Sequence, residues 1–304
     1  MKFEKTKKNF LAIEDPKFYT YRDSRFVIQQ APYEYTSSYL AGSAKGPEAI
    51  IKASHYVELY DEELDRETYK LLGICTLPPM DFKGKTDAKA VDYIEANTQK
   101  LLNDFKFVIS LGAEHTVSLG FIRPFRKLYK NLTVLQIDAH SDLRMSYHDN
   151  PYSHASVMAR VHELGVNLVQ VGIRAQCKEE ADLIKKSKKI TTFYAHQIKA
   201  SAKWIDQVVA ACTDDVYITI DADGFDPSVI PAVGTAEPNG LTWNEGIELL
   251  KKVIAKKNVV GFDVVECAPA KGSILSEYTL AKLTYKMIGY ITKSWEDKVK
   301  SLKK

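Results

Sequence analysis

Cysteine is scarce in this chain and never arranged in pairs: Cys75, Cys177, Cys212 and Cys267 are widely spaced, with no Cys-x-x-Cys motif among them. That spacing argues against a disulfide framework or a cysteine-held metal, and points to a reducing compartment. Long apolar runs are also missing. No stretch approaches the roughly 20 apolar residues that a bilayer-spanning helix needs, and the N-terminal region lacks the apolar core of a secretory signal, so the chain is expected to be cytoplasmic, with no membrane partner. Neither sign of charge dominates, since 42 Lys and Arg against 39 Asp and Glu leave a formal net charge of +3. Lysines gather at the two ends, Lys2 to Lys8 and Lys293 to Lys304, as in solvated termini. No basic stripe with interleaved aromatics supports nucleic-acid binding. Pro/Gly/Ser-rich linkers, internal repeats and low-complexity tracts are absent as well. Residues 1–304 therefore read as a single domain.

What is present is an alternation of short apolar runs with amphipathic stretches. Strands are expected at Arg25 to Gln29, Tyr69 to Cys75 (ended by Pro78-Pro79), Phe107 to Leu111, Thr133 to Asp138, Leu168 to Gly172, Ile190 to Tyr194, Val216 to Ile220 and Val259 to Val265. Helices are expected from Gly46 to about Leu59, from Asp87 to about Asp104 with Thr86 as cap, and from His115, where Pro124 should end or kink the helix. Further helices are expected from Ser153, over about Lys178 to Lys188, over about Ser201 to Cys212, from Thr242 to Lys256 and from about Ser276 to Lys293. Eight strands alternating with helices call for an α/β fold, a three-layer α/β/α arrangement around a mainly parallel eight-stranded sheet. The first 20 or so residues should lie over the surface or against a neighbouring subunit, and Pro32 to Ser43 reads as a long loop of the kind that often carries function.

Three of the strands run straight into metal-ligand chemistry. Leu132 to Ile137 feeds Asp138-Ala139-His140-Ser141-Asp142, Phe107 to Leu111 feeds Gly112-Ala113-Glu114-His115, and Val216 to Ile220 feeds Asp221-Ala222-Asp223-Gly224-Phe225-Asp226-Pro227. Buried parallel strands deliver side chains into a site at their C-terminal ends. Carboxylates mixed with imidazole, and no thiol, suit Mn(II), Fe(II) or Zn(II), and six such groups exceed the needs of one ion, so a two-metal site is expected.

With these junctions in view, the chain resembles the ureohydrolase family of arginases and agmatinases, most closely agmatinases of the prokaryotic type. Gly112 to Thr116 is similar to the family signature Gly-Gly-Asp-His-Ser; Asp138 to Asp142 matches Asp-Ala-His-x-Asp; Thr219 to Pro227 matches Ser-x-Asp-x-Asp-x-x-Asp-Pro with Thr for Ser; and Gly46 to Ile50 resembles the family's early helix. The resemblance implies two Mn(II) per subunit, bridged by Asp138 and Asp221, with His115 and Asp142 on one ion and His140 and Asp223 on the other. It implies hydrolysis of a guanidino compound by a metal-bridging hydroxide, with His154 in proton transfer and Glu266 holding the substrate guanidinium. Agmatine, giving putrescine and urea in polyamine biosynthesis, is the first expectation, because the arginase-type Ser-Gly-Asn segment that holds an α-carboxylate is missing. Aminopropylagmatine, guanidinobutyrate and arginine remain as alternatives, as does a non-catalytic regulatory or binding protein of the same fold. A homotrimer or homohexamer is also implied.

Several residues near the motifs carry further expectations. Arg144 is expected to point away from the pocket or pair with a local acid such as Asp149. His148 and Asp149 lie in the loop over the site, Asp226 should shape its turn, and His55, His162 and His196 read as structural. Ala113, Glu114 and the segment Val233 to Gly240 depart from the family pattern without removing a ligand.

Overall fold

The computed structural model describes residues 1–302, so Lys303 and Lys304 of the C-terminal lysine run lie outside the described residues. Its strands are β1 (Phe26–Ala31), β2 (Ile74–Pro79), β3 (Phe107–Gly112), β4 (Leu132–Ile137), β5 (Asn167–Ile173), β6 (Ile190–Tyr194), β7 (Asp215–Asp221) and β8 (Asn258–Val265). They form one eight-stranded sheet in the order β2-β1-β3-β8-β7-β4-β5-β6, and every pairing is parallel. Parallel strands need both faces covered, and the four central strands β3, β4, β7 and β8 are almost wholly buried.

Alternate residues of each strand face opposite layers. Leu135, Ile137, Ile218 and Ile220 pack with the helices at Gly46–Ser54, Trp204–Ala211, Trp243–Lys256 and Leu275–Leu302. Val134, Leu132 and Tyr217 pack on the other side with those at Asp87–Asn103, Val117–Leu128 and Val157–Glu163. The three-layer α/β/α expectation holds, with the sheet fully rather than mainly parallel.

Local departures have identifiable causes. Tyr69–Leu72 is a helical turn, not a strand; Gly73 at φ +66° redirects the chain, and β2 follows and runs on through Pro78-Pro79. Prolines in sheets are confined to edge strands and bulges; β2 pairs only with β1, and that pairing shifts register between Ile28 and Gln30, opposite the proline end. The helix from Gly46 stops at Ser54. Pro124 does not end its helix, which continues to Leu128 with the proline buried. Thr86 stands at the cap position without a side-chain cap bond, whereas Thr242 and Glu245 form a reciprocal capping box. A 3₁₀ turn, His154–Ser156, precedes the helix expected from Ser153. The last helix reaches Leu302, making the lysine-rich end helical as far as it is described. The N-terminal stretch does more than cover the surface: Phe10, Leu11, Ile13 and Tyr19 are buried in the chain's own core. All four cysteines are free, and among the described residues no helix is long and apolar enough to cross a membrane.

Candidate metal centre

β3, β8, β7 and β4 are consecutive in the sheet, so their C-terminal ends open side by side. The chain leaves β3 for β4 across the gap later filled by β7 and β8, and such a reversal of strand order makes a crevice at the carboxyl edge. Into it β3 delivers His115, β4 delivers Asp138, His140 and Asp142, β7 delivers Asp221 and Asp223, and β8 delivers Glu266.

The side chains expected as ligands lie close together, although Asp221, expected to bridge, belongs to neither of the two ion-sized groups. His115 Nδ1 lies 3.0 Å from Asp138 Oδ2, 3.1 Å from Asp142 Oδ2 and 3.2 Å from Asp221 Oδ2. His140 Nδ1 lies 3.1 Å from Asp223 Oδ2 and 3.7 Å from Asp138 Oδ1. Two groups each gather within the reach of a single ion, His115/Asp138/Asp142 and Asp138/His140/Asp223, with Asp138 common to both. His115, Asp138, Asp142, Asp221 and Asp223 are buried, and His140 is partly exposed.

Polar groups behind the cluster aim it. Gln170 Nε2 donates to Gln136 Oε1 (2.7 Å), and Gln136 Nε2 donates to Asp138 Oδ2 (2.7 Å). The amides of His140 and Ala139 donate to Asp138 Oδ1 (2.6 Å) and Asp223 Oδ1 (3.1 Å). The β4 and β7 segments touch because residue 224 has no side chain: a Cβ on Gly224 would come within 2.7 Å of the Asp138 nitrogen. Asp142 and Glu266 are held at positive φ, +53° and +62°, strain of a kind that collects at functional sites.

Electrostatics test whether the pocket suits cations. Burial raises the carboxyls of Asp142 and Asp221; Asp138 raises Asp142 further, to about 7, while Asp223 and Asp138 raise Asp221 well above its usual range. Burial also opposes charge on the imidazoles, but Asp138, Asp142 and Asp221 hold His115 well above neutrality, and Asp138 and Asp223 hold His140 up at about 12. Protons gather where negative charge exceeds what the chain can neutralise. His115 Nδ1 also has no well-aligned hydrogen bond although three carboxylate oxygens surround it. An oxygen-and-imidazole set with an orphaned nitrogen at its centre fits divalent cations.

A cavity of about 200 Å³ opens over the cluster, with Glu266, His154, Arg144, Tyr147, Ser38 and Thr235 on its wall. Glu266 Oε1 accepts the His115 N–H at 2.7 Å, and burial followed by the nearby Glu114 pushes its carboxyl well up. Burial, then His140 and His115, pushes His154 down to about 4, so this imidazole is neutral near pH 7. Arg144 departs from expectation. It lines the cavity and forms no ion pair with Asp149, because the Tyr147 ring offers its guanidinium a platform at 5.2 Å. His148 and Asp149 are exposed and off the cavity wall. Asp226 shapes its turn, accepting from Ser228, Asn239 and Gly240.

The structure adds Arg174, which the sequence does not flag. Its Nη2 donates to the carbonyls of Asp223 (2.6 Å) and Glu237 (2.8 Å), and Nη1 to that of Gly172 (3.0 Å). It thereby ties β5, the β7 ligand turn and the divergent 233–240 segment together, and Thr235 of that segment donates to Asp223 Oδ2 (3.3 Å). A lone arginine past a strand end carries no motif, which is why only the fold reveals it.

Residues 24–289 match the profile of the arginase family. An N(1)-aminopropylagmatine ureohydrolase from Synechocystis sp. is 40% identical over 304 residues, covering 98% of each chain. An agmatinase from Bacillus cereus is 34% identical over 257 residues, 82% of this chain and 86% of that protein. The crystal structure of the agmatine ureohydrolase of Thermoplasma volcanium superposes with a TM-score of 0.82 at 28% identity, covering 95% of this chain and 96% of that one.

Proposed function

The chain belongs to the arginase family, and from that premise we propose that it hydrolyses a linear guanidino polyamine to urea and the corresponding amine, with N(1)-aminopropylagmatine ahead of agmatine. It is an agmatinase-like ureohydrolase, acting on C–N bonds of linear amidines. The observation that carries the reading is the pair of ion-sized groups sharing Asp138, whose members Asp142, His140 and Asp223 line one cavity with Glu266. Agmatine is the first expectation from sequence; the Synechocystis enzyme, similar over almost all of both chains, moves the aminopropyl derivative ahead of it.

We take the cations to be two Mn(II), held by His115, Asp138, His140, Asp142, Asp221 and Asp223. Bound there, such a pair supplies Lewis acidity and water of lowered pKa, which a guanidinium carbon requires because its charge is delocalised. Glu266 has an Oε2 without a protein donor among the described residues and would pair with the planar guanidinium. His154, neutral near pH 7, would take the proton from attacking water and return it to the leaving amine. Oxygen ends as the urea carbonyl while the C–N bond breaks, and the leaving nitrogen takes the proton held by His154 and, as the carbonyl forms, the second water proton, departing as an ammonium. We also take residues 1–304 to act as one catalytic unit and to assemble as a homotrimer or homohexamer.

Arg144 favours a second reading. This residue of the cavity wall forms no ion pair among the described residues, although Glu179 feels its charge, and a cation there would suit a carboxylated guanidine such as arginine or guanidinobutyrate. Urea release measured as kcat/KM for N(1)-aminopropylagmatine, agmatine, guanidinobutyrate and arginine decides the matter. Preference for the two carboxylate-free substrates supports the leading reading, and preference for arginine or guanidinobutyrate replaces it.

A further inference from the structure

The loop between β1 and the helix at Gly46–Ser54 is bound down over His154 by two carboxylates. Glu34 accepts the amides of Gly42 (2.6 Å) and Ala44 (3.0 Å) and the Ser37 hydroxyl (3.0 Å). Glu114, fully buried beside His115, accepts the amides of Tyr35 (2.8 Å) and Thr36 (2.6 Å) on Oε2 and the Thr36 hydroxyl on Oε1 (3.0 Å).

The Thr36 hydroxyl also meets His154 twice, at the backbone nitrogen (3.0 Å) and at Nδ1 (3.2 Å). A hydroxyl has one proton and two lone pairs. Its proton goes to the Glu114 carboxylate, and one lone pair receives the His154 N–H. The remaining lone pair faces Nδ1 at 3.2 Å, nearer than the Ser153 hydroxyl at 3.5 Å, and this shorter contact is satisfied when Nδ1 carries the ring proton. Nε2 is then bare, 3.2 Å from the Ser38 hydroxyl on the cavity wall.

We propose that Glu114 and Thr36 are positioning residues that fix His154 as the Nδ1–H tautomer, leaving Nε2 to accept a proton in the substrate cavity. The inference rests on the reading of His154 as the proton carrier of the ureohydrolase reaction. Thr36 and His154 are 118 positions apart, and the longer Glu at 114, where the family signature has Asp, reaches the loop amides that hold Thr36.

Glu114→Gln is the decisive variant. Its amide oxygen must stay on the two loop N–H donors, so its NH₂ turns to Thr36. The threonine hydroxyl must then donate to Nδ1, and the ring proton moves to Nε2. With the metal-loaded protein, Glu114→Gln and Thr36→Val should lose about 100-fold or more in kcat, the scale of a general base, with KM and metal content near wild type. Thr36→Ser should stay within a few-fold of wild type. ¹⁵N spectra of histidine-labelled, Zn(II)-loaded protein, with the His154 signals assigned from His154→Ala, read the tautomer without turnover: Nδ1–H in wild type and Nε2–H in Glu114→Gln. An Nε2–H wild type, a Glu114→Gln protein with unchanged kcat, or a Thr36→Ser protein as damaged as Thr36→Val would overturn the inference. A wild type that shows the Nδ1–H tautomer but releases no urea would instead overturn the proposed reaction alone.

Discussion

His115 Nε2 lies 2.9 Å from Thr219 Oγ1, on the side of the ring opposite the carboxylates. The hydroxyl donates onward to Asp263 Oδ1 (2.7 Å), a buried carboxyl that also accepts from Tyr217 (2.8 Å) and Ser118 (3.1 Å). Thr219 therefore accepts from Nε2–H and leaves the Nδ1 lone pair for the cluster. Partners behind a ligating histidine typically govern metal affinity by about 10- to 100-fold. Thr219→Val is expected to lose Mn(II) by that factor while Thr219→Ser keeps it; metal retained after dialysis against graded chelator measures the loss.

Asp138 and Glu266 should separate in their effects. Asp138 is the acid common to both ligand groups, so Asp138→Asn should lose metal and turnover together. The Glu266 side chain meets the β3 loop at the His115 N–H, and its backbone N–H donates to the Ala113 carbonyl (2.7 Å), a bond the substitution leaves in place, so Glu266→Gln should keep its metal and lose kcat/KM. Elemental analysis beside steady-state kinetics distinguishes the two, and near-normal kinetics in Glu266→Gln would refute the guanidinium role.

Gly224→Ala probes the close approach of β4 and β7. The added carbon would sit 2.7 Å from the Asp138 nitrogen and 2.8 Å from the Ile137 carbonyl carbon. Backbone cannot yield cheaply, so a loss of about 1–3 kcal/mol in stability is expected, with weakened metal binding. Unfolding midpoints and metal content test this.

Acid stability should depend on Glu63, remote from the centre. Burial opposes its charge, but Lys251, Tyr290 and Lys286 overcome that and hold its carboxyl down at about 2 against an ordinary 4.5. A depressed folded-state pKa contributes stability above the unfolded value, and that contribution fades as pH falls through the folded one. Glu63→Gln should therefore lower Tm at pH 7, with the gap from wild type closing between about pH 4.5 and about pH 2.

The residues proposed as ligands were legible because each lies within a few positions of an apolar run, and local pattern suffices to place a strand end. The sheet followed from the alternation of strands and helices. The Tyr69–Leu72 turn and the proline-ended β2 were not legible, since edge position depends on which strands pair, not on local preference. Arg174 was missed, and the contacts of Thr36, Ser38 and Glu114 were not legible, for a related reason: each meets a residue more than thirty positions away. Arg144 was misjudged because the Tyr147 ring, not an acid, holds its guanidinium.

The central claim, that a two-cation centre built on Asp138 drives the reaction, is tested most directly by titrating metal-free protein with Mn(II) while following urea release from N(1)-aminopropylagmatine. Activity should rise to a plateau at two equivalents per chain. A plateau at one equivalent, or full activity with none added, would contradict it.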